Sequence, residues 1–166
     1  MSQCLGFPPI RPTQAKIMIL GTMPSVKSME ERFYYAHPRN AFWPIISHLA
    51  KRSLSTECEK TEACIELGIL LWDVLQACER EGSLDSAIQQ PKANDFESIF
   101  LQYPQLNVVY FNGQTALKLF KQHVWKVQSL PKDLELVVLP STSPANARLK
   151  IDDKIMIWEE KLSPFL

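Results

Sequence analysis

The sequence is sparing with the features that mark most specialised classes of protein. Its 18 basic residues are matched by 18 acidic ones, so the formal net charge is zero. A bulk electrostatic binder of nucleic acid, which works through a broad basic surface, is therefore disfavoured. An enzyme that grips a few phosphates with local loops is not. The four cysteines, Cys4, Cys58, Cys64 and Cys78, include no C-x-x-C pair, and their spacing does not suit an iron–sulfur or zinc site. We read them as reduced thiols of a cytoplasmic protein, with Cys58, Cys64 and Cys78 in helical or helix-edge segments. The opening residues lack the basic stretch and apolar run of a secretory signal. No apolar stretch approaches bilayer-spanning length, and no repeat, low-complexity tract or linker divides the chain. What remains is an ordinary globular composition, 46% hydrophobic and 22% charged, expected to form one domain over residues 1–166, with a monomer as the default.

Four short apolar runs bounded by turn residues stand out: Lys16–Leu20, Ile69–Trp72, Asn107–Phe111 and Leu134–Leu139. Near-continuous runs of this kind are expected of strands buried on both faces. Helical periodicity fills the intervals. Ala41–Lys51 places Phe42, Ile45, Ile46 and Leu49 on one side, and Gly113–Val124 and Ile151–Leu162 repeat the pattern. Thr56 with Glu59, and Asn94 with Glu97, read as capping boxes. Strands alternating with helices predict an α/β fold, a three-layer α/β/α sandwich on a central four-stranded parallel sheet. Ligands of such sheets bind beyond the carboxyl ends of the strands. Two of the segments that follow the strands, 21–40 and 140–148, are long and rich in Pro, Ser, Asn and Arg, as functional loops often are.

The first of these segments contains Gly21-Thr22-Met23-Pro24-Ser25 and, ten residues after Ser25, Tyr35-Ala36-His37-Pro38-Arg39-Asn40-Ala41-Phe42-Trp43. The last reads Leu139-Pro140-Ser141-Thr142-Ser143-Pro144-Ala145-Asn146-Ala147-Arg148. The glycine at position 21 fits neither G-x-G-x-x-G nor G-x-x-x-x-G-K-[ST], which weakens a generic nucleotide-binding reading. In order and placement these motifs resemble the uracil-DNA glycosylase superfamily. Its mismatch-specific branch carries Gly-Ile-Asn-Pro-Gly followed by Phe-Ala-His-Pro-x-Asn-x-Phe-Trp at nearly this spacing. The resemblance implies a sheet with strand order 2-1-3-4 and motifs after the first and fourth strands.

The departures narrow the resemblance. Met23 stands where that superfamily places a catalytic Asn or Asp, and Leu139 stands where its uracil enzymes have a motif 2 His. Neither side chain orients water or donates a useful hydrogen bond. The pattern is similar to the hypoxanthine-DNA glycosylase branch, in which an Asn at the position of Asn40 is catalytic. Leu71-Trp72-Asp73-Val74-Leu75 and Gly82-Ser83-Leu84-Asp85 also resemble that branch. The resemblance implies hydrolysis of an N-glycosidic bond after base flipping, acting on DNA that contains a deaminated base, with no cofactor and no metal.

Each candidate has a functional and a structural reading. Asn40 either holds the attacking water or caps the helix that begins at Ala41. Tyr35 aligns with an aromatic that stacks on the flipped base, or packs in the core. His37 either donates to the base or fixes its loop. Asp73, at the end of the second strand, either accepts from the N1–H of hypoxanthine, where adenine has a lone pair, or caps a turn. Gly21, Thr22 and Met23 complete the expected base pocket. In the last segment Ser141, Thr142, Ser143 and Arg148 offer groups to phosphate, and Pro144, Ala145, Asn146 and Ala147 are the candidate wedge, against a plain surface turn. Asn112-Gly113 reads as a turn and helix start, with a contact to the base as the lesser alternative. Uracil, xanthine or mismatched thymine as substrate, and a non-catalytic damage binder on the same scaffold, are the competing functions. No lysine in these loops is placed as a Schiff-base nucleophile.

Overall fold

A computed structural model describes residues 3–166 of the chain. Among these residues seven strands form two sheets: β1 (Gln3–Leu5), β2 (Ile17–Gly21), β3 (Ile69–Asp73), β4 (Leu75–Glu79), β5 (Gln89–Ala93), β6 (Val108–Asn112) and β7 (Glu135–Leu139). Six α-helices accompany them: α1 (Val26–Glu31), α2 (Phe42–Ala50), α3 (Glu57–Leu67), α4 (Phe96–Gln102), α5 (Gln114–Phe120) and α6 (Ile151–Leu162). The central sheet is parallel with order β3-β2-β6-β7, the expected 2-1-3-4 arrangement.

The burial pattern explains why these runs carry so little polarity. In β2 the side chains of Ile17 and Ile19 enter one apolar cluster, with Phe42, Ile45 and Ile46 of α2, Cys64 of α3 and Trp158 of α6. Their neighbours Met18 and Leu20 enter another, with Phe96 of α4 and Ala116 and Phe120 of α5. Alternate residues of one strand thus feed opposite faces, and a strand covered on both sides has no position left for a polar residue. The layers are α2, α3 and α6 on one side, and α4 and α5 on the other.

The second sheet is absent from the sequence reading. It is a small antiparallel unit of order β1-β4-β5, with Leu75 and Cys78 of β4 in the α4/α5-side cluster. Cys78 therefore lies in a strand, not in a helical segment as expected. A second correction concerns α4. Thr56 and Glu59 do form the predicted capping box at α3, but Asn94 and Glu97 do not. Asp95 is the N-cap, accepting from the Ser98 N–H. Asn94 is buried with its side-chain Nδ2 donating to the Asp73 carbonyl. The tertiary bond to the end of β3 displaces the cap by one residue.

Trp158 connects the core to the functional edge. Its indole is fully buried and donates to the Pro140 carbonyl at 2.9 Å, just beyond β7. Trp158→Ala is expected to cost about 3–5 kcal/mol in urea denaturation, whereas Thr56→Ala, at an exposed cap, is expected to cost only ~1 kcal/mol.

Candidate active site

All four parallel strands end at one edge of the sheet, and a cavity of about 380 Å³ opens there. In register, Gly21 of β2 stands beside Asp73 of β3, and Asn112 of β6 beside Leu139 of β7. The cavity is lined by Gly21 at the end of β2, Thr22 and Met23 just after it, Tyr35 and Asn40 further along the same connection, and Asp73 at the end of β3. Ser141, Thr142, Ser143, Ala145 and Asn146 line it from beyond β7. These are eleven of the residues singled out in the sequence.

Its floor is built on an absence. A Cβ at Gly21 would lie 2.5 Å from Asp73 Oδ1 and 2.6 Å from the Tyr35 hydroxyl, so only glycine lets both groups reach the strand end. Both carry buried polar atoms without hydrogen-bond partners, the Tyr35 hydroxyl and Asp73 Oδ2. Buried polar groups are seldom left so without a water, an ion or a ligand to satisfy them. The Asn112 amide is near enough to temper the Tyr35 phenol. Its own hydrogen bonds run to Thr142, however. Tyr35 sits in the left-handed backbone region, with φ of 50°, a conformation that costs of order 1–3 kcal/mol and tends to persist at functional sites. Its ring is stacked on Phe42, with centroids 4.2 Å apart.

Burial raises the Asp73 carboxyl to about 7; the Asp85 carboxylate adds to the rise and the Arg80 guanidinium opposes it. Burial, followed by the charge of Asp73, pushes the Tyr35 phenol far upward, so it is a neutral O–H donor. The floor thus presents one donor next to one group that switches between acid and carboxylate near neutral pH.

Asn40 is not the N-cap of α2, a position that Ala41 takes, but it is held at the entry to that helix and reaches the cavity. Its Oδ1 accepts from the Phe42 N–H at 2.9 Å, at the entry to α2, while the residue lines the cavity. That bond identifies the oxygen of the amide and fixes its plane; Oδ1 retains a second lone pair, and Nδ2 makes no hydrogen bond among the described residues. The loop after β7 is stitched to the same place. The Ala41 N–H donates to the Thr142 carbonyl at 3.0 Å. Asn112 brackets Thr142 with two bonds of 2.8 Å, donating to its hydroxyl and accepting from its N–H. Thr142 is buried and holds the loop from within, while Ser141 and Ser143 face the cavity. Asn146 donates to the Ser141 carbonyl. Lys154 of α6, also buried, donates to the Ser143 carbonyl.

Some expected residues lie elsewhere. His37 lines a neighbouring cleft instead, and its Nδ1 accepts from the Arg39 N–H at 3.1 Å; it braces the turn. Pro144 and Arg148 do not line the cavity, and Arg148 is exposed. Lys27, in the connection after β2, pairs with Glu31 at 2.9 Å. Leu139 is buried under the sheet edge. Two buried residues stand outside every motif: Arg80, whose side chain is 1% exposed, and Ser28, whose hydroxyl accepts from the Ala36 N–H. A serine in a short polar helix and an arginine just past a strand end give no signal of burial.

A family model described as the uracil DNA glycosylase superfamily matches residues 8–160. The chain belongs to the uracil DNA glycosylase superfamily. Among curated relatives of this superfamily member, a protein named hypoxanthine DNA glycosylase from Methanosarcina acetivorans is 35% identical over 147 residues, 86% of this chain and 88% of the relative. One of the same name from Methanosarcina barkeri is 34% identical over 113 residues, 67% of this chain and 72% of the relative. A solution structure of a candidate uracil DNA glycosylase from Methanosarcina acetivorans superposes with a TM-score of 0.77 at 30% identity, covering 96% of this chain and 98% of that one. In this superfamily member, no helix of the described residues is long and apolar enough to cross a membrane.

The buried acid makes stability depend on pH. The folded glycosylase holds the Asp73 proton up to about pH 7, whereas an unfolded chain releases it near 3.8. Between those values the folded state binds more protons, so stability falls as pH rises, and the full cost is present above pH 7. Asp73→Asn is expected to be more stable than the parent at pH 8 by roughly 2–4 kcal/mol, with the gap shrinking below pH 5. Denaturant titration at the two pH values measures it.

Proposed function

We propose that the chain is a monofunctional DNA glycosylase that removes deaminated bases, chiefly hypoxanthine, from DNA. The observation that carries this reading is the unpartnered pair on the cavity floor, one neutral donor and one carboxyl acceptor side by side. Hypoxanthine presents an N1–H next to a C6 carbonyl. Ionised Asp73 accepts from that N1–H, and the Tyr35 hydroxyl donates to O6. Adenine offers the opposite pattern, a ring lone pair beside an amino group, and leaves a carboxylate facing a lone pair. A site with buried polar groups rejects a ligand that leaves them unpaired far more strongly than a site that only measures shape. The names of the two curated relatives agree with this choice of base.

Asn40 is the residue proposed to act on the water. Its Oδ1, fixed by the Phe42 N–H, accepts an O–H from the water and leaves the water's own lone pair for the sugar C1'. As the C1'–N9 bond breaks, its electron pair leaves with the base and the sugar becomes oxocarbenium-like. The water oxygen then bonds to C1', and a proton is released from it as the departing base takes one up. An amide is too weak a base to remove that proton early, so Asn40 contributes orientation and its dipole. A purine is a good enough leaving group, once its nitrogens are hydrogen-bonded, for this modest apparatus to suffice. Ser141 and Ser143 are proposed to meet backbone phosphate by hydroxyl and N–H groups, with Arg148 adding charge.

Single-turnover cleavage of duplexes carrying one deoxyinosine, uracil or xanthine, with alkali to reveal abasic sites, tests the assignment. Deoxyinosine is expected to be cut fastest, and Asn40→Ala to be slower by at least about 100-fold while still folded. Cleavage of uracil with deoxyinosine left intact would sink the choice of base. Binding of damaged DNA without cleavage would favour a non-catalytic binder. A further outcome follows from the carboxyl acceptor. The value of kcat/KM on deoxyinosine should rise with pH through about 7, where Asp73 ionises, and that limb should vanish in Asp73→Asn.

A further inference from the structure

The connection between β4 and β5 forms one wall of the cavity mouth, and Leu84 stands on it with 62% of its surface exposed. A lone exposed leucine is ordinary. This one differs in how firmly it is held. Gly82, with φ of 72°, turns the chain before it. Its own carbonyl accepts from the Ala87 N–H and begins the short 3₁₀ turn Asp85–Ala87. Both neighbours are anchored across the mouth to the connection after β2. Ser83 Oγ accepts from the Val26 N–H at 2.9 Å, and Asp85 accepts from the Thr22 hydroxyl at 3.3 Å.

Arg80 locks the two connections together from beneath. Its side chain is almost wholly buried and donates to the Pro24 carbonyl at 2.5 Å and the Ser83 carbonyl at 3.4 Å, with Asp85 at 3.9 Å. Burying a guanidinium is unfavourable unless it organises its surroundings, and here it fixes the segment that carries Leu84. The opposite wall, expected to supply the wedge, offers only Pro144, Ala145, Asn146 and Ala147. Of these, Pro144 and Ala147 do not line the cavity.

We propose that Leu84 is the principal wedge, a rigid apolar side chain that enters the DNA base stack beside the target nucleotide as that nucleotide leaves it. A wedge needs apolar bulk and a fixed aim, because unstacking a base step costs a few kcal/mol that a mobile side chain would not recover. Leu84 combines exposure with an immobilised backbone at the rim of the cavity that takes the flipped base. The inference rests on the glycosylase reading above and adds a residue from a connection that no motif of the first or fourth strand contains.

The test compares one deoxyinosine strand as a duplex and as a single strand, under single-turnover conditions. Only the duplex has a stack to open, so Leu84→Ala is expected to lower the duplex-to-single-strand rate ratio about tenfold or more, and Leu84→Met to restore most of it. The melting temperature of the protein serves as a folding control. In parallel, 2-aminopurine placed beside the lesion should brighten on binding of the parent protein and much less with Leu84→Ala. An unchanged ratio, or an unchanged 2-aminopurine signal, would overturn the proposal. If the parent protein cuts no deoxyinosine at all, the glycosylase reading fails separately, and the fluorescence in whichever damaged duplex it binds still decides the role of Leu84.

Discussion

The site depends on the parallel register of four strands. Parallel pairing brings the carboxyl ends of β2, β3, β6 and β7 to a single edge, and the side chains just beyond them converge without any long-range design in the loops. Gly21 beside Asp73 is the tightest consequence. The missing side chain on β2 is the space in which Tyr35 and Asp73 meet. Fixing the register by apolar packing on both faces of the sheet therefore also fixes the spacing of the donor and acceptor on the cavity floor. A slip of one residue would turn Met18 and Leu20 toward the wrong layer, so core and site fail together or not at all.

Polar stitching then joins the two loops that the sheet brings near each other. Ala41 donates to the Thr142 carbonyl, and Asn112 clasps Thr142 on both sides. Trp158 and Lys154 hold the same loop from α6. The backbone on that wall is pinned by buried side chains behind it, and Ser141 and Ser143 line the cavity with hydroxyls that accept from the Ser143 and Ala145 N–H groups of the same loop. A chain with no net charge has no bulk attraction to hold DNA in place, and loops that are already in position reduce the ordering that binding must supply.

The central sheet was legible because strands buried on both faces leave an unmistakable trace, an apolar run without alternation, as in Ile17–Gly21 and Ile69–Asp73. The contributors to the cavity from the first and last connections were legible because they fall in motifs that the chain shares with a known superfamily. What escaped was governed by tertiary context. β5 contains Pro91 and almost no buried residue, so only its partner β4 makes it a strand. Asn94 offers as good a local cap as Asp95, and the choice is made by the carbonyl of Asp73, 21 residues away. Arg80 reads as one more surface charge until the carbonyls of Pro24 and Ser83 close over it. His37 was the reverse case, a conspicuous residue in a motif that turns out to brace its own loop.

The bond from the Phe42 N–H to Asn40 Oδ1 also constrains how this site can diversify. A residue at that position keeps this bond only with a short side chain that accepts from the start of α2, such as Asn, Asp, Ser or Thr. Those are the small side chains able to hold a water molecule. Substitution among them would alter the charge and basicity presented to a substrate while leaving the helix and the stacked Phe42 in place. Reactivity at this position is thus open to mutation on a scaffold that does not have to change with it.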